Sequence, residues 1–201
     1  MIELSIQHLN VVLLSLAIAT LLGVLISLLV FRSTTRSAAV LAITSSFMTI
    51  PSFALFGLLI PLFGLGYTPT IVALVMYALL PVVRNTITGL QEVDPSIIEA
   101  ARGMGMRKHQ SLLRVRLPLA WPVIVAGMRV SAMMIMGIAA IAAYVNGPGL
   151  GGDIFSGLSR IGTVFAEYMV LSATLAVVLL SLALDLILAL FARLTTSKGI
   201  R

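Results

Sequence analysis

The sequence predicts an all-α membrane protein of about five transmembrane helices, with the N-terminus outside the cell and the C-terminus in the cytoplasm. Composition is the first reason. Of 201 residues, 60% are hydrophobic and only 10% charged, and mean hydropathy is +1.14. A soluble domain of this length cannot bury so much apolar surface, so the bilayer is the main solvent. The second reason is length: five apolar runs reach or approach the roughly 20 residues that a helix needs to cross the hydrocarbon. The third is charge. Lys and Arg collect in alternate connections, as the positive-inside rule requires of cytoplasmic loops.

The first span covers 9–31. Ser15, Ala19, Gly23 and Ser27 recur on it every fourth residue, a face that permits close backbone approach. That face serves packing within the subunit or contact between subunits. No basic segment precedes this run, and it is longer than the apolar core of a signal peptide, so a cleaved leader is not expected. The second span covers 38–63. Thr44, Ser45, Ser46 and Thr49 precede Pro51, which removes a helical hydrogen bond and bends the helix. Ser45, Ser46, Thr49 and Pro51 read either as part of a polar path through the membrane or as a kink repaired locally by hydroxyls. The third span, 68–90, runs past Arg84 and Asn85, and Asn85 joins the candidate path. The fourth covers 123–144. The fifth, 163–192, is long enough to tilt. Together, residues 1–201 form one membrane domain.

Arg32 and Arg36 follow the first span. Arg84, Arg102, Arg107, Lys108, Arg114 and Arg116 follow the third, and Arg193, Lys198 and Arg201 follow the fifth. Arg160 alone falls on the other side. This asymmetry and an odd number of spans give one orientation.

Between the third and fourth spans lies a polar island, 94–118, too charged for a tight turn and too short for its own core. Asp94-Pro95 suits a helix start, with Asp as N-cap and Pro at the first position. Ser96 and Glu99 offer an alternative capping-box register. Ile97, Ile98, Ala101 and Met104 are expected on one side of this helix, with Glu99 and Arg102 toward another. Gly105 ends it in a left-handed conformation. A second short helix is expected over 107–115, stopped by Leu117-Pro118. A helical loop of this kind needs something to pack against.

Glu99-Ala100-Ala101, three residues, Gly105, nine residues, then Val115-x-Leu117-Pro118 resembles the EAA loop of ABC importer permeases, EAA-x3-G-x9-I-x-LP, with Val115 in place of Ile. The resemblance implies that Glu99, Ala100, Ala101, Gly105, Val115, Leu117 and Pro118 form a coupling helix that docks on a cytoplasmic ATPase. An amphipathic helix lying on the membrane surface is the plainer reading of the same residues. Further stretches, Ile50-Pro51-Ser52-Phe53-Ala54-Leu55, Tyr77-Ala78-Leu79-Leu80-Pro81, Arg84-Asn85-Thr86 and Gly147-Pro148-Gly149-Leu150-Gly151, resemble permeases of compatible-solute importers, and the likeness covers almost the whole chain. It implies uptake of glycine betaine, choline, carnitine or proline in osmoprotection, across the bacterial cytoplasmic membrane. It also implies a pair of ATPase subunits that bind ATP and Mg, a second permease copy or paralogue, and a separate extracytoplasmic binding protein. This chain itself is then not an enzyme and carries no cofactor. A permease for another small solute, a self-sufficient secondary transporter or channel, and a membrane scaffold are the alternatives. With one Trp and four Tyr, an aromatic cage for a quaternary ammonium is not evident, so selective binding is expected on the separate binding protein.

Other motifs carry less. Gly147-x-Gly149-x-x-Gly152 lacks the strand and helix that a dinucleotide site needs, and no P-loop pattern occurs. It reads as a turn or re-entrant segment. His8 and His109 fall on opposite sides of the membrane, so no metal site is expected, and the absence of Cys excludes thiolate sites. The charges follow membrane topology and give no sign of nucleic-acid binding. Arg129 and Asp185 interrupt apolar spans. Both lie about 12–16 Å from the cytoplasmic ends of their helices by the helical rise. Intramembrane charges are costly and usually paired, so the two are expected to meet, either as a structural bridge or as part of a gate.

Overall fold

The computed structural model describes residues 1–196. Among these there are nine α-helices and no strand: α1 (Ile2–Val30), α2 (Thr34–Thr49), α3 (Ser52–Phe63), α4 (Tyr67–Gln91), α5 (Pro95–Gly103), α6 (Lys108–Ser111), α7 (Leu117–Ile141), α8 (Gly151–Leu158) and α9 (Val164–Thr195). Lys198 and Arg201, two of the residues used to assign sidedness, lie outside the described residues.

α1, α4 and α7 form the core. Val11, Val12, Leu16 and Ala19 of α1 meet Ala73, Leu74, Tyr77 and Ala78 of α4 and Ile135, Met136 and Ala139 of α7. The small-residue face of α1 lies inside the subunit. A side chain at Gly23 would begin 2.7 Å from Val82 Cγ1, and Ser27 Oγ, which donates to the Gly23 carbonyl at 2.6 Å, is 3.3 Å from the Val83 carbonyl. The α4–α7 crossing is equally close, since a Cβ at Gly127 would lie 2.7 Å from Asn85 Cβ. Glycine at these points is what lets the helices approach this closely.

Hydrogen bonds identify the two ends of the bundle. At one end Gln91 Nε2 donates to the Phe31 carbonyl at 2.9 Å, Arg116 to the Leu90 carbonyl at 3.2 Å, and Trp121 Nε1 to Thr195 Oγ1 at 2.7 Å. This end carries the basic loops and is cytoplasmic. At the other end His8 Nε2 donates to the Met136 carbonyl at 3.0 Å, and the Gly66 amide to the Val145 carbonyl at 2.6 Å.

Four helices are long and apolar enough to span a membrane, and a fifth crossing needs α2 and α3 together. The expected single span 38–63 is instead two helices bent by 99°. Pro51 removes a donor and pushes Ile50 to extended backbone (φ −76°, ψ 124°). The Tyr77 hydroxyl then donates to the Ile50 carbonyl at 2.6 Å, fixing the elbow from α4. A second difference lies at Leu117-Pro118, which does not stop the helix. α6 covers only Lys108–Ser111, and a π turn, Leu112–Arg116, carries it without interruption into α7. In that turn the Leu117 amide reaches back five residues to the Leu112 carbonyl. The wider π turn accommodates a ring that lacks an N–H and would crowd an α-helical carbonyl. α9 packs loosely, with 11% of its spanning window buried, so most of its surface faces lipid or another subunit.

Candidate functional site

The cytoplasmic loop is built around α5. Asp94 is the N-cap: its carboxylate accepts the Ser96 amide at 2.8 Å. Pro95 follows at the first position, so the Asp94 register is adopted and the Ser96 one is not. The same bond from the Ser96 amide holds the Asp94 carboxyl below its ordinary value. The helix ends in a Schellman arrangement. The Met106 amide donates to the Ala101 carbonyl at 3.1 Å and the Gly105 amide to the Arg102 carbonyl at 2.9 Å, with Gly105 at φ +82°. A Cβ there would meet no atom within 4 Å; the demand for glycine is purely backbone.

The faces of α5 differ from expectation. Ile98 and Ala101 are buried, but Ile97 and Met104 are 42% and 73% exposed. Ile98 and Ala101, three residues apart, are enough to seat the helix on its own subunit. Ile97 and Met104 therefore project outward beside exposed Glu99 and Ala100. Val115 and Leu117 are half-buried and Pro118 exposed, all on the rod that runs from α6 into α7.

The proposed path residues divide. Thr44, Ser45, Ser46 and Thr49 all donate to carbonyls three or four residues back in α2, which satisfies them locally. Ser46, Thr49 and Pro51 are nonetheless exposed, and Ser45 is half-buried. Asn85 does not join them. It is turned toward α7 at the Gly127 crossing, and its Nδ2 donates to the Pro81 carbonyl at 2.8 Å.

Arg129 and Asp185 form a two-pronged pair across α7 and α9, Nε to Oδ1 at 2.7 Å and Nη2 to Oδ2 at 2.8 Å. Their side chains are 37% and 22% exposed, so the pair lies at the rim of the helix contact.

Two features have no local sequence signal. The rings of Phe53 and Tyr144 lie 4.0 Å apart between centroids, tilted by 39°, and both side chains are about half-exposed. They are brought together because the elbow turns the start of α3 toward the turn that follows α7. The Tyr77 clasp on Ile50 is equally non-local. Among the described residues no three His, Cys, Asp or Glu side chains gather as a metal site would require.

Residues 19–197 match the family described as binding-protein-dependent transport system inner membrane component. The chain is 40% identical to the osmoprotectant import permease protein OsmW of Salmonella typhimurium, over 99% of this chain and 93% of that protein. It is 33% identical to the glycine betaine/carnitine/choline transport system permease protein OpuCB of Bacillus subtilis, over 97% and 88%. Among solved structures, an inward-facing MetNI methionine ABC transporter superposes with a TM-score of 0.83 at 23% identity, covering 98% of this chain and 96% of that one. At that identity the likeness speaks for the fold. A bundle of apolar helices, a capped helical loop on its basic end and a family match over most of the chain lead to one assignment: the chain belongs to the binding-protein-dependent transport system inner membrane components and is a multi-pass permease subunit of an ABC importer.

Proposed function

We propose that this permease carries quaternary-amine compatible solutes (glycine betaine, choline, carnitine or proline), driven by a separate ATPase pair that docks on the loop 94–118. The observation that carries the docking reading is the outward face of α5. Ile97, Glu99, Ala100 and Met104 are exposed on a helix that is capped at both ends. An exposed apolar residue as prominent as Met104, on a segment held this firmly, suits a groove on a partner better than water. ATP and Mg belong on that partner, and closure of the ATPase pair would push α5 and the rod behind it. A second permease, identical or paralogous, completes the path, with the exposed hydroxyls of α2 lining it. An extracytoplasmic binding protein delivers the solute.

The solutes in the relatives' names support the substrate class. So does the Phe53–Tyr144 pair, because a quaternary ammonium offers no N–H and is held by aromatic faces. A single exposed pair makes a weak, transient contact, in keeping with a permease that hands its solute on.

The test is reconstitution of the permease with its candidate ATPase and binding protein in liposomes, following uptake of labelled glycine betaine and choline. Uptake should require ATP inside the coupled complex. Uptake by the permease alone would identify a self-sufficient transporter and overturn the proposal. ATP-driven uptake of an unrelated solute, with none of betaine or choline, would overturn the substrate class only.

A further inference from the structure

Behind α5, on the face away from its exposed side, a cavity of about 250 Å³ opens between the end of α1, α5 and the π turn. Arg32, Arg102, Lys108 and Arg116 line it, with Ser111 and Ile98. The two arginines from the helix ends are held in place by one ring. Arg32 and Arg116 lie 5.4 and 5.3 Å from the centre of Phe31, and Arg116 is tethered further by its bond to the Leu90 carbonyl. No carboxylate of the described residues pairs with any of the four cations. The Arg129–Asp185 salt bridge is elsewhere, within the membrane-spanning helices.

Four like charges converging without a counter-charge oppose folding unless an anion joins them. Three guanidinium forks, an ammonium and a buried serine hydroxyl present donors from several directions. That arrangement suits the tetrahedral oxygens of a phosphate better than the planar pair of a carboxylate. Depth points to a source. Arg32 stands two residues beyond the end of α1, and Arg116 immediately before α7. Both are therefore at the headgroup level of the cytoplasmic leaflet, where basic pockets between helices take anionic lipid headgroups.

We propose that this cavity binds a phosphate group, supplied by an anionic phospholipid of the cytoplasmic leaflet. The bound phosphate joins the end of α1 and the start of α7 to α5, and so sets where the coupling loop rests. The site is independent of the solute carried and of the partner that docks on the opposite face of α5.

The experiment uses the full chain purified in neutral detergent. Phosphatidylglycerol and phosphatidylcholine are titrated separately and followed by native mass spectrometry; inorganic phosphate is titrated by equilibrium dialysis. The expected result is saturable retention of one phosphatidylglycerol per chain, with phosphatidylcholine retained far less. Removing a cation should weaken binding roughly fivefold, so Arg32→Gln with Arg116→Gln should weaken it roughly thirtyfold. Arg102→Gln with Lys108→Gln, on the exposed rim, should do the same without touching the Phe31 stack. Arg114→Gln, a neighbouring arginine outside the cavity, should leave binding unchanged. Saturable inorganic phosphate binding, abolished by the same pairs and without preference for phosphatidylglycerol, would keep the phosphate site but replace the lipid with a soluble source. Equal retention of the two lipids with no phosphate binding, or equal binding by the rim pair and Arg114→Gln, overturns the proposal.

Discussion

Replacing Arg129 by Met and Asp185 by Leu, singly and together, probes the ion pair that α7 and α9 hold within the membrane. Arg129 stands at the midpoint of α7. Asp185 stands ten residues before the end of α9, about 15 Å along its axis. At such depths an unpaired charge costs about 2.5–3.5 kcal/mol on insertion scales. Each single replacement leaves one charge in that position and should lose stability of that order. The double replacement removes both charges and leaves an apolar contact of similar volume, so it should recover part of the loss. The two bonds of 2.7 and 2.8 Å place the groups in direct contact. Partial exposure of both side chains keeps their coupling well below a deep-interior value, at roughly 1–3 kcal/mol. The assay is unfolding of the four proteins in detergent, alongside ATP-driven uptake by the reconstituted complex. If the pair is only a bridge, the double variant regains both stability and uptake. If it belongs to a gate, stability returns and uptake does not. Additive losses across the cycle would refute the reasoning, because contacting charges must couple.

Four further outcomes are expected. Gly105→Val forces a β-branched residue to φ +82° and should cost the loop roughly 1–2 kcal/mol; uptake should fall with membrane insertion intact, and unchanged solute-stimulated ATPase activity in the complex would oppose a coupling role. Glu99→Arg reverses an exposed charge on α5 and should reduce ATPase co-purification roughly tenfold or more if that face docks on a protein, whereas a helix resting on anionic lipid would bind the membrane more strongly. Tyr77→Phe leaves the Ile50 carbonyl without its clasp and should destabilise the chain by about 1–3 kcal/mol, measured as a lower unfolding temperature; an unchanged temperature would mean the elbow holds without it. Phe53→Ala and Tyr144→Ala should each raise the KM for betaine uptake roughly two- to fivefold, the worth of one exposed cation–π face, with no change in ATPase co-purification; an unchanged KM would remove these rings from the path.

The long spans were legible because apolar length is a property of local sequence, and α1, α4 and α9 needed nothing else. The loop was legible at its ends, where Asp94-Pro95 and Gly105 carry their own backbone instructions. Its faces were not, because which of Ile97, Ile98 and Met104 is buried depends on what α5 lies against. Pro51 announced a bend, but not its 99°, and the Tyr77 hydroxyl that clasps the elbow belongs to another helix. Pro118 reads as a stop because a proline in an α-helix clashes; the π turn before it removes the clash, and no residue type marks such a turn. The cations of the cavity were visible one at a time as signs of topology. Their convergence required the ends of α1 and α7 to meet at Phe31. Arg129 and Asp185 could be matched from depth alone, since two costly charges at similar height in one small bundle have few other partners.

The uninterrupted run from Lys108 to Val145 has 38 residues, about 57 Å of rod by the helical rise. It begins beside the cytoplasmic loop and ends where Tyr144 meets Phe53. As a rigid body pivoting at one end, it would carry the other about 10 Å for a tilt of roughly 10°. Mechanically the chain therefore contains a lever, with its base in the cytoplasm and its tip at the far side of the membrane. Had Leu117-Pro118 broken the helix, a push on the loop would be absorbed at the joint; under the proposed docking, an unbroken rod would deliver it to the far side of the membrane.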